Sequence, residues 1–193
     1  MPADVETRPV GPGGLADLAD LFASARSTRH CWCMAFCTTR AQLALGWFGG
    51  GNRRRFTSMT EADPAPMGLL ATVDDQPVGW VACGPRSRYL AATDPANPLT
   101  AAMQRSEDGL VWLAPCLFVR AGQRGTGITH ALVRAAVALA VDHGAVAIEG
   151  WPVSGSASRP SEDFVGREKV FADHGFRVLD RPSATRVIMR RDL

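Results

Sequence analysis

The sequence lacks several features that would assign it to a particular compartment or broad class. No apolar run is long enough to span a bilayer, and residues 1–10 carry acidic side chains where a secretory signal would have an apolar core. Its five cysteines are odd in number and give no paired disulfide framework. These absences predict a cytoplasmic protein that does not associate with membranes.

An excess of charge of one sign is absent as well. The 21 basic residues are nearly balanced by 19 acidic ones, and the net charge of +2 excludes a strong general attraction to nucleic acid or anionic membranes. Lysine and tyrosine occur once each, as Lys169 and Tyr89. The apolar fraction of 46% is ordinary for a globular chain. With 193 residues, the sequence predicts a single domain over residues 1–193.

The segment of residues 110–152 has the clearest pattern. Residues 110–119 are apolar apart from Pro115, as expected for a buried strand. Three closely spaced glycines follow, and from Ile128 the apolar residues recur with helical spacing. Residues 145–148 are again apolar. The segment therefore predicts a strand, a glycine-rich turn, a helix and a second strand in succession.

The glycine-rich turn before this helix predicts an anion site. The first N–H groups of a helix have no partner within it and point outward at the positive end of its dipole, so they can hold a phosphate. Glycine lets the backbone approach a ligand without an intervening Cβ, and Arg124 adds a positive charge. A diphosphate is the expected ligand, and a turn that binds nothing is the less favoured interpretation.

Two common phosphate-binding motifs do not fit this turn. Ile128 stands where a P-loop needs its lysine, and the G-x-G-x-x-G fingerprint of dinucleotide-binding proteins does not occur. The run Arg124-Gly125-Thr126-Gly127-Ile128-Thr129 instead resembles the R-x-x-G-x-G/A signature of the GCN5-related N-acetyltransferases (GNAT), with Thr129 at the position of the last Gly or Ala. In that family the loop binds the pyrophosphate of coenzyme A.

The resemblance implies a fold and a cosubstrate. The fold is α/β, with a GNAT-like mixed, mostly antiparallel central sheet flanked by helices, and the cosubstrate is acetyl-CoA, without a metal ion. Gly175-Phe176 after a helix, and a hairpin at residues 68–73 and 77–84, are similar to the family's pattern. The coenzyme A contacts that it implies are Leu117, Phe118, Val119, Arg124, Gly125, Thr126, Gly127, Ile128 and Thr129.

Other elements follow from periodicity. Strands are predicted at residues 4–10, 176–179 and 186–190, and helices at residues 15–22, at 40–59 with a joint at the glycines 49–51, at 162–174 and, in part, at 99–105.

Residues 30–37 contain three cysteines and two large aromatic side chains. In the family the segment after the first helix forms one wall of the acceptor site, which makes Cys31, Trp32 and Phe36 candidates for the acceptor pocket, with core packing as a close alternative. The Cys-Trp-Cys-Met run at residues 31–34 resembles that of a subset of family members. A metal site is less favoured, because the spacing C-x-C-x-x-x-C lacks a second Cys/His pair.

Direct attack of an amine on a thioester is helped by a base for the incoming ammonium and a donor for the departing thiolate. The family's usual acid is a tyrosine four residues before the Gly-Phe pair, but Phe171 stands there, so either the thiolate leaves unaided or another group donates. Glu149, at the end of the second buried strand, is the candidate base, because an apolar neighbourhood raises the pKa of a carboxyl group. A structural carboxylate that caps the following loop is the alternative.

Together these features predict an N-acetyltransferase that transfers an acetyl group from acetyl-CoA to an amine of a small molecule or a protein. A non-catalytic acyl-CoA sensor is the alternative, favoured by Phe171, and a cysteine-based metal or redox protein built on residues 30–37 is a third interpretation. No nucleic-acid or membrane partner is expected. The sequence carries no signal of oligomeric state and is compatible with a homodimer.

Overall fold

One seven-stranded sheet dominates the computed structural model, which describes residues 4–94, 109–155 and 164–193. The strands are β1 (Glu6–Pro9), β2 (Gly68–Val73), β3 (Gln76–Pro85), β4 (Val111–Val119), β5 (Ala147–Gly150), β6 (Arg177–Asp180) and β7 (Ile188–Asp192). Their order in the sheet is β1-β2-β3-β4-β5-β7-β6. β4 and β5 pair in parallel, and the other neighbours pair antiparallel. The predicted mixed, mostly antiparallel α/β fold is confirmed.

Helices cover both faces of the sheet. They are α1 (Leu15–Ala23), α2 (Arg26–Cys31), α3 (Arg40–Gly46), α4 (Gly51–Ala62), α5 (Leu90–Thr93), α6 (Ile128–Asp142) and α7 (Glu168–Asp173). Left-handed Gly49 and Gly50, with φ of 60° and 71°, separate α3 from α4, as the glycine run predicts. None of the helices in these described ranges combines the length and the apolarity that crossing a membrane requires.

A two-residue turn sets the register of the β2–β3 hairpin. Asp74 and Asp75 have φ of 48° and 60°, which is the left-handed pair that a type I′ turn requires between antiparallel strands. Val73 consequently pairs with Gln76, and the hairpin predicted from the alternating pattern is present.

The apolar face of α6 packs on one side of the sheet. Ile128, Leu132 and Ala136 are buried in the cluster that also holds Val81 and Leu117. A Cβ on Gly79 of β3 would lie 2.7 Å from Cγ2 of Ile128, so this glycine allows the first turn of α6 to sit directly on the strand. The start of α6 is thereby fixed against the centre of the sheet.

The opposite face is covered by α1, α2 and α4 around Trp80. The ring centroid of Trp80 lies 5.9 Å from those of both Phe22 and Phe56, edge-on, which is the favoured arrangement for aromatic pairs. Trp32 contacts the same two phenylalanines. This aromatic cluster holds the helical segment of residues 26–36 against β3 and β4.

A bulge in β4 opens the sheet at its centre. Ala82 pairs with Cys116 and Gly84 with Leu113, so β4 uses one more residue than β3 over this stretch. Pro115 lies inside the bulge, where no ladder N–H is required of it. The β4–β5 pairing ends at Ala114 opposite Gly150, and the edge of β4 from residue 116 onward is therefore not covered by β5.

The predicted helix at residues 162–174 is wrong at its start. Residues 164–167 are not helical, and α7 begins only at Glu168. Gly166 adopts φ of 77°, and Arg167 forms a parallel β-bridge with Val153, which fixes this segment in an extended path alongside the sheet. The predicted helical stretch at residues 99–105 lies outside the described residues.

Candidate functional site

A cavity of about 550 Å³ lies where β4 and β5 separate. Eight of the nine predicted coenzyme A contacts line it, namely Leu117, Phe118, Val119, Arg124, Gly125, Gly127, Ile128 and Thr129. The ninth, Thr126, turns its hydroxyl toward its own loop and donates to the carbonyl oxygen of Gln123 at 2.7 Å. The fold thus brings residues from a strand, a turn and a helix into one site, and their contact with coenzyme A stays a prediction.

The glycine-rich turn leaves its backbone open to a ligand. Gly125 and Gly127 have φ of 82° and 90°, a conformation that disfavours any side chain. A Cβ built on either residue would meet no atom within 4 Å. The space in front of both glycines is therefore free for a group that approaches the main chain.

The first N–H groups of α6 point to this space without protein acceptors. The first hydrogen bond of α6 runs from Ala131 N–H to the carbonyl oxygen of Gly127, at 3.1 Å. Within the described ranges no atom accepts from the N–H groups of Ile128, Thr129 or His130. These donors lie at the positive end of a 15-residue helix, which is the arrangement that attracts phosphate groups.

The charged side chains of the cavity are also positive. Arg124 and Arg167 line it from opposite sides, and no described lining residue is acidic. Sequence reasoning does not identify Arg167, since it reaches the cavity only because residues 164–167 are extended instead of helical. It also misses His130, although this residue follows the predicted loop directly and helical periodicity could have found it.

The uncovered edge of β4 is partly occupied. Leu117 N–H donates to the carbonyl oxygen of Phe164 at 2.7 Å. Alternate N–H groups of a strand point to the same side, so Val119 N–H faces this edge too, while Arg120 N–H bonds to Val78 on the other side. The Phe164 carbonyl therefore takes one of the donors that the family resemblance assigns to the pantetheine arm.

Glu149 is fully buried on β5 in an ion pair. Its Oε1 atom accepts from Nη1 of Arg86 at 2.9 Å and from Nη1 of Arg190 at 3.5 Å, while Oε2 has no hydrogen-bond partner among the described residues. Burial raises the pKa of this carboxyl group, and the charge of Arg86 opposes that shift. A free oxygen with a raised pKa fits the candidate base, and the buried ion pair fits the structural alternative, so both interpretations stand.

Phe171 stands where the family resemblance expects a tyrosine, and it belongs to the hydrophobic core beside the cavity. Its side chain is fully buried, edge-on to Phe176 with ring centroids 5.1 Å apart. Cβ atoms built on Gly150 and Gly166 would lie 2.2 Å and 2.9 Å from this ring, so the phenyl group is wedged between β5 and residues 164–167. No hydroxyl is available at this position.

The single tyrosine, Tyr89, is not among the residues that line the cavity. Tyr89 is buried beside Leu113, Trp151 and Ile188, and its hydroxyl has no hydrogen-bond partner in the described part of the chain. Burial raises the pKa of this phenol well above its usual value, so the hydroxyl stays neutral and protonated. Its rarity is the only signal in the sequence that points to it.

The three acceptor-pocket candidates are divided between two places. Trp32 is packed among Phe22 and Phe56, with the guanidinium of Arg53 5.2 Å above its ring. Phe36 instead lies against Trp151, with ring centroids 6.2 Å apart. Cys31 is partly buried, and burial raises the pKa of its thiol to about 11. Core packing accounts for much of the Trp32 environment, while Phe36 lies nearer to Trp151 and the Tyr89 cluster.

The cysteines of residues 30–37 do not converge on one point. The Sγ atom of Cys33 lies 3.2 Å from Sγ of Cys116, and Trp80 Nε1 donates to Cys33 Sγ at 3.2 Å. Cys31 and Cys37 are not part of this contact. In the described ranges no three His, Cys, Asp or Glu side chains are arranged to hold a metal ion.

Comparison with known families gives a match over the centre of the chain. The family model of the acetyltransferase (GNAT) family matches residues 39–164. This range includes β2 to β5, the glycine-rich turn and α6. No curated protein matches the chain.

Solved structures share the fold at low sequence identity. An acetyltransferase from Thermus thermophilus is 18% identical with a TM-score of 0.56, covering 98% of this chain and 97% of its own. PaiA N-acetyltransferase from Thermoplasma acidophilum, in complex with coenzyme A, is 12% identical with a TM-score of 0.56, and the match covers 98% of this chain and 99% of the other. YncA from Salmonella typhimurium, with its cofactor acetyl-CoA, is 11% identical with a TM-score of 0.58, and the match covers 98% of this chain and 94% of the other.

Proposed function

Because the chain belongs to the acetyltransferase (GNAT) family, we propose that it transfers the acetyl group of acetyl-CoA to an amine acceptor. The observation that carries the proposal is the cavity that joins the glycine-rich turn, the free N–H groups of α6 and the open edge of β4. Two proteins of the same fold contain coenzyme A or acetyl-CoA, which supports this choice of cosubstrate.

The diphosphate of acetyl-CoA binds at the start of α6. The N–H groups of Ile128 and Thr129 donate to its oxygens, and Arg124 supplies a positive charge beside them. Gly125 and Gly127 allow this approach because neither presents a side chain. The pantetheine arm then runs along the edge of β4, where Val119 N–H and, once Phe164 has moved, Leu117 N–H face it.

The reaction is the attack of a neutral amine nitrogen on the thioester carbonyl carbon. A main-chain N–H of the β4 edge stabilises the oxygen as it becomes negative, and the C–S bond then breaks. The proton that the amine loses goes to Glu149, whose Oε2 has no other partner in the described part of the chain. Coenzyme A leaves as the thiolate, which needs little help because the pKa of a thiol is close to neutral.

The acceptor lies on the side of residues 30–37. Cys31, Trp32 and Phe36 come from the end of α2 and the segment that joins it to α3, and Phe36 contacts Trp151 directly after β5. The acceptor is an amine of a small molecule or of a protein. We place the protein in the cytoplasm, as one domain that works alone or as a homodimer.

One experiment tests both donor binding and transfer. Acetyl-CoA is titrated while the fluorescence of the five tryptophans is followed, and thiol release is then measured with a panel of small-molecule and peptide amines. We expect saturable binding and amine-dependent release of free coenzyme A. Binding without release for any amine would favour the acyl-CoA sensor, and absence of binding would overturn both functions.

A further inference from the structure

Two histidines bridge the walls of the cavity. His130, the third residue of α6, lines the cavity, and its Nδ1 lies 3.3 Å from Nε2 of His174, which follows α7. Both rings are half-buried, with centroids 5.4 Å apart. This contact connects the helix that offers its N-terminus to the cavity with the helix that closes the other side.

Positive charge surrounds the pair. The charged groups that face it in the described part of the chain are Arg134 on α6, Asp173 on α7 and Arg191 on β7, and Arg124 and Arg167 line the same cavity as His130. Asp173 is engaged by Lys169 at 2.9 Å, and Arg191 donates to the carbonyl oxygen of His174 at 2.7 Å. Burial, followed by the charges of His130 and Arg134, lowers the pKa of His174, so its ring is neutral at about pH 7 in the free protein.

The hydrogen bond between the rings limits how many protons the pair can hold. Between two neutral rings the bond forms when one of the facing nitrogens carries its proton and the other presents a lone pair, and the tautomers decide which ring donates. One additional proton leaves this bond intact, since an imidazolium can donate to a neutral imidazole. A second would set two N–H groups against each other. The pair is therefore built to exist as neutral or singly charged.

A bound diphosphate reverses the charge of the surroundings. Its two negative charges in the cavity offset the repulsion from the arginines and favour a positive charge on His174. We propose that the His130–His174 pair is a further part of the diphosphate site, and that it takes up one proton when the diphosphate of acetyl-CoA binds. This inference rests on the proposed function, because it assumes that the diphosphate occupies this cavity.

The sign of the pH dependence follows. The pKa of His174 is lowered in the free protein, and the bound diphosphate raises it, so the complex binds the proton more tightly. The gain in affinity is complete below the pKa of the free pair and disappears as the pH rises through the pKa of the complex. Affinity for acetyl-CoA therefore decreases from below about pH 6.5 to about pH 9.

Calorimetry measures this proton directly. The full chain is titrated with acetyl-CoA and with 3′-dephospho-coenzyme A, whose diphosphate has no group that titrates near neutral pH, in buffers of different ionisation enthalpy. The dependence of the observed heat on that enthalpy gives the number of protons taken up. We expect about 0.4–0.7 at about pH 7 for both ligands after correction for the 3′-phosphate, and none at about pH 9.

Variants assign the proton to the pair. His174→Gln is expected to bind without proton uptake, about 3-fold to 10-fold more weakly than the wild type at pH 6.5 and equally well at pH 9. His143→Gln is the matched control, since His143 lies at the other end of α6 and bonds to the carbonyl oxygen of Leu139 at 2.9 Å. It should keep both affinity and uptake.

The outcomes separate this inference from the proposed function. The role of the pair is overturned if the wild type binds 3′-dephospho-coenzyme A without proton uptake, or if His174→Gln binds it with unchanged uptake. In either case acetyl-CoA remains the proposed cosubstrate. Absence of binding overturns both. If His174→Gln does not fold, the wild-type proton count decides.

Discussion

The main-chain N–H of Leu117 donates a 2.7 Å hydrogen bond to the carbonyl oxygen of Phe164, across the opening between β4 and the chain that follows β5. The segment of residues 164–167 is held there by further bonds, from Val153 N–H to Gly166 O and from Glu168 N–H to Val153 O. This is the same edge along which the pantetheine arm is proposed to run. One N–H cannot donate to both partners with good geometry, so binding must move this segment.

Binding of acetyl-CoA is expected to speed hydrogen exchange at the amide of Val153, while the amide of Leu117 stays protected. Leu117 exchanges the Phe164 carbonyl for an acceptor on the pantetheine arm, whereas Val153 loses Gly166 as its acceptor. Loss of a bond worth about 1 kcal/mol should speed exchange about fivefold. Hydrogen exchange resolved to single amides, with and without acetyl-CoA, measures both.

Val146 supplies the internal control for this measurement. Its N–H bonds to Leu110 O at 2.9 Å, at the far end of the β4–β5 pair, and its exchange should not change. Unchanged or slower exchange at Val153 in the saturated complex would show that the segment stays in place, and the pantetheine arm would then need another path.

Gly127→Trp is expected to weaken acetyl-CoA binding by more than about 100-fold, which is about 2.8 kcal/mol. The indole would occupy the space that is open in front of the turn, where a Cβ meets no atom within 4 Å. Affinity is measured by calorimetry or by competition. The change also costs about 1–3 kcal/mol of stability, since φ at this position is 90° and tryptophan disfavours it.

Gly144→Trp separates that strain from the loss of the site. Gly144 follows the other end of α6, has φ of 71° and also faces open space. We expect a similar loss of stability with unchanged affinity for acetyl-CoA. Equal affinities of the two variants for acetyl-CoA would show that the diphosphate does not bind at the glycine-rich turn.

Local rules explain which parts of the fold the sequence predicts well. The Asp74-Asp75 turn and the glycine pair before α4 depend on backbone conformations that these residue types favour. Both can therefore be predicted from the local sequence. The strand, turn and helix of the cavity follow from periodicity over residues 110–142. These predictions need no knowledge of distant contacts.

The contacts that complete the site are long-range and carry no local signal. His130 and His174 are 44 residues apart in sequence, and Arg86 and Glu149 are 63 apart. Helical periodicity wrongly extends α7 toward residue 162, because the bridge between Arg167 and Val153 overrides it. The bulge at Pro115 is another consequence of pairing, since it appears only when β3 and β4 are aligned.

Glu149→Gln is expected to lower the free energy of unfolding by about 3–5 kcal/mol, because it breaks the buried ion pair between Glu149 and Arg86. As the proposed base, the same change also slows turnover without weakening acetyl-CoA binding. Chemical denaturation and steady-state kinetics measure the two effects. Asp20→Asn is the control: its ion pair with Arg120 is exposed, and such pairs contribute about 0.2–1 kcal/mol.

A second substitution distinguishes the base from the structural carboxylate. Arg86→Met combined with Glu149→Gln removes both buried charges and should recover much of the lost stability. If Glu149 is the base, turnover stays slow in this stable double variant. Recovery of turnover together with stability would assign Glu149 a structural role only.

Gly150→Ala is expected to destabilise the protein by about 1–3 kcal/mol, through overpacking of a buried ring. The new Cβ would lie 2.2 Å from Cε1 of Phe171, which is fully buried and cannot turn aside without displacing its neighbours. The same ring lies next to Gly166, so its displacement would also shift residues 164–167 and should change the affinity for acetyl-CoA.

Gly122→Ala is the control, because this position has open space and no positive φ. Its free energy of unfolding should stay within about 0.5 kcal/mol of the wild-type value. Because leucine is smaller than the phenyl ring, Phe171→Leu added to Gly150→Ala should restore part of the loss. Denaturant unfolding measures all four proteins. If the double variant is no more stable than Gly150→Ala, the contact between the new Cβ and the Phe171 ring is not what destabilises the protein.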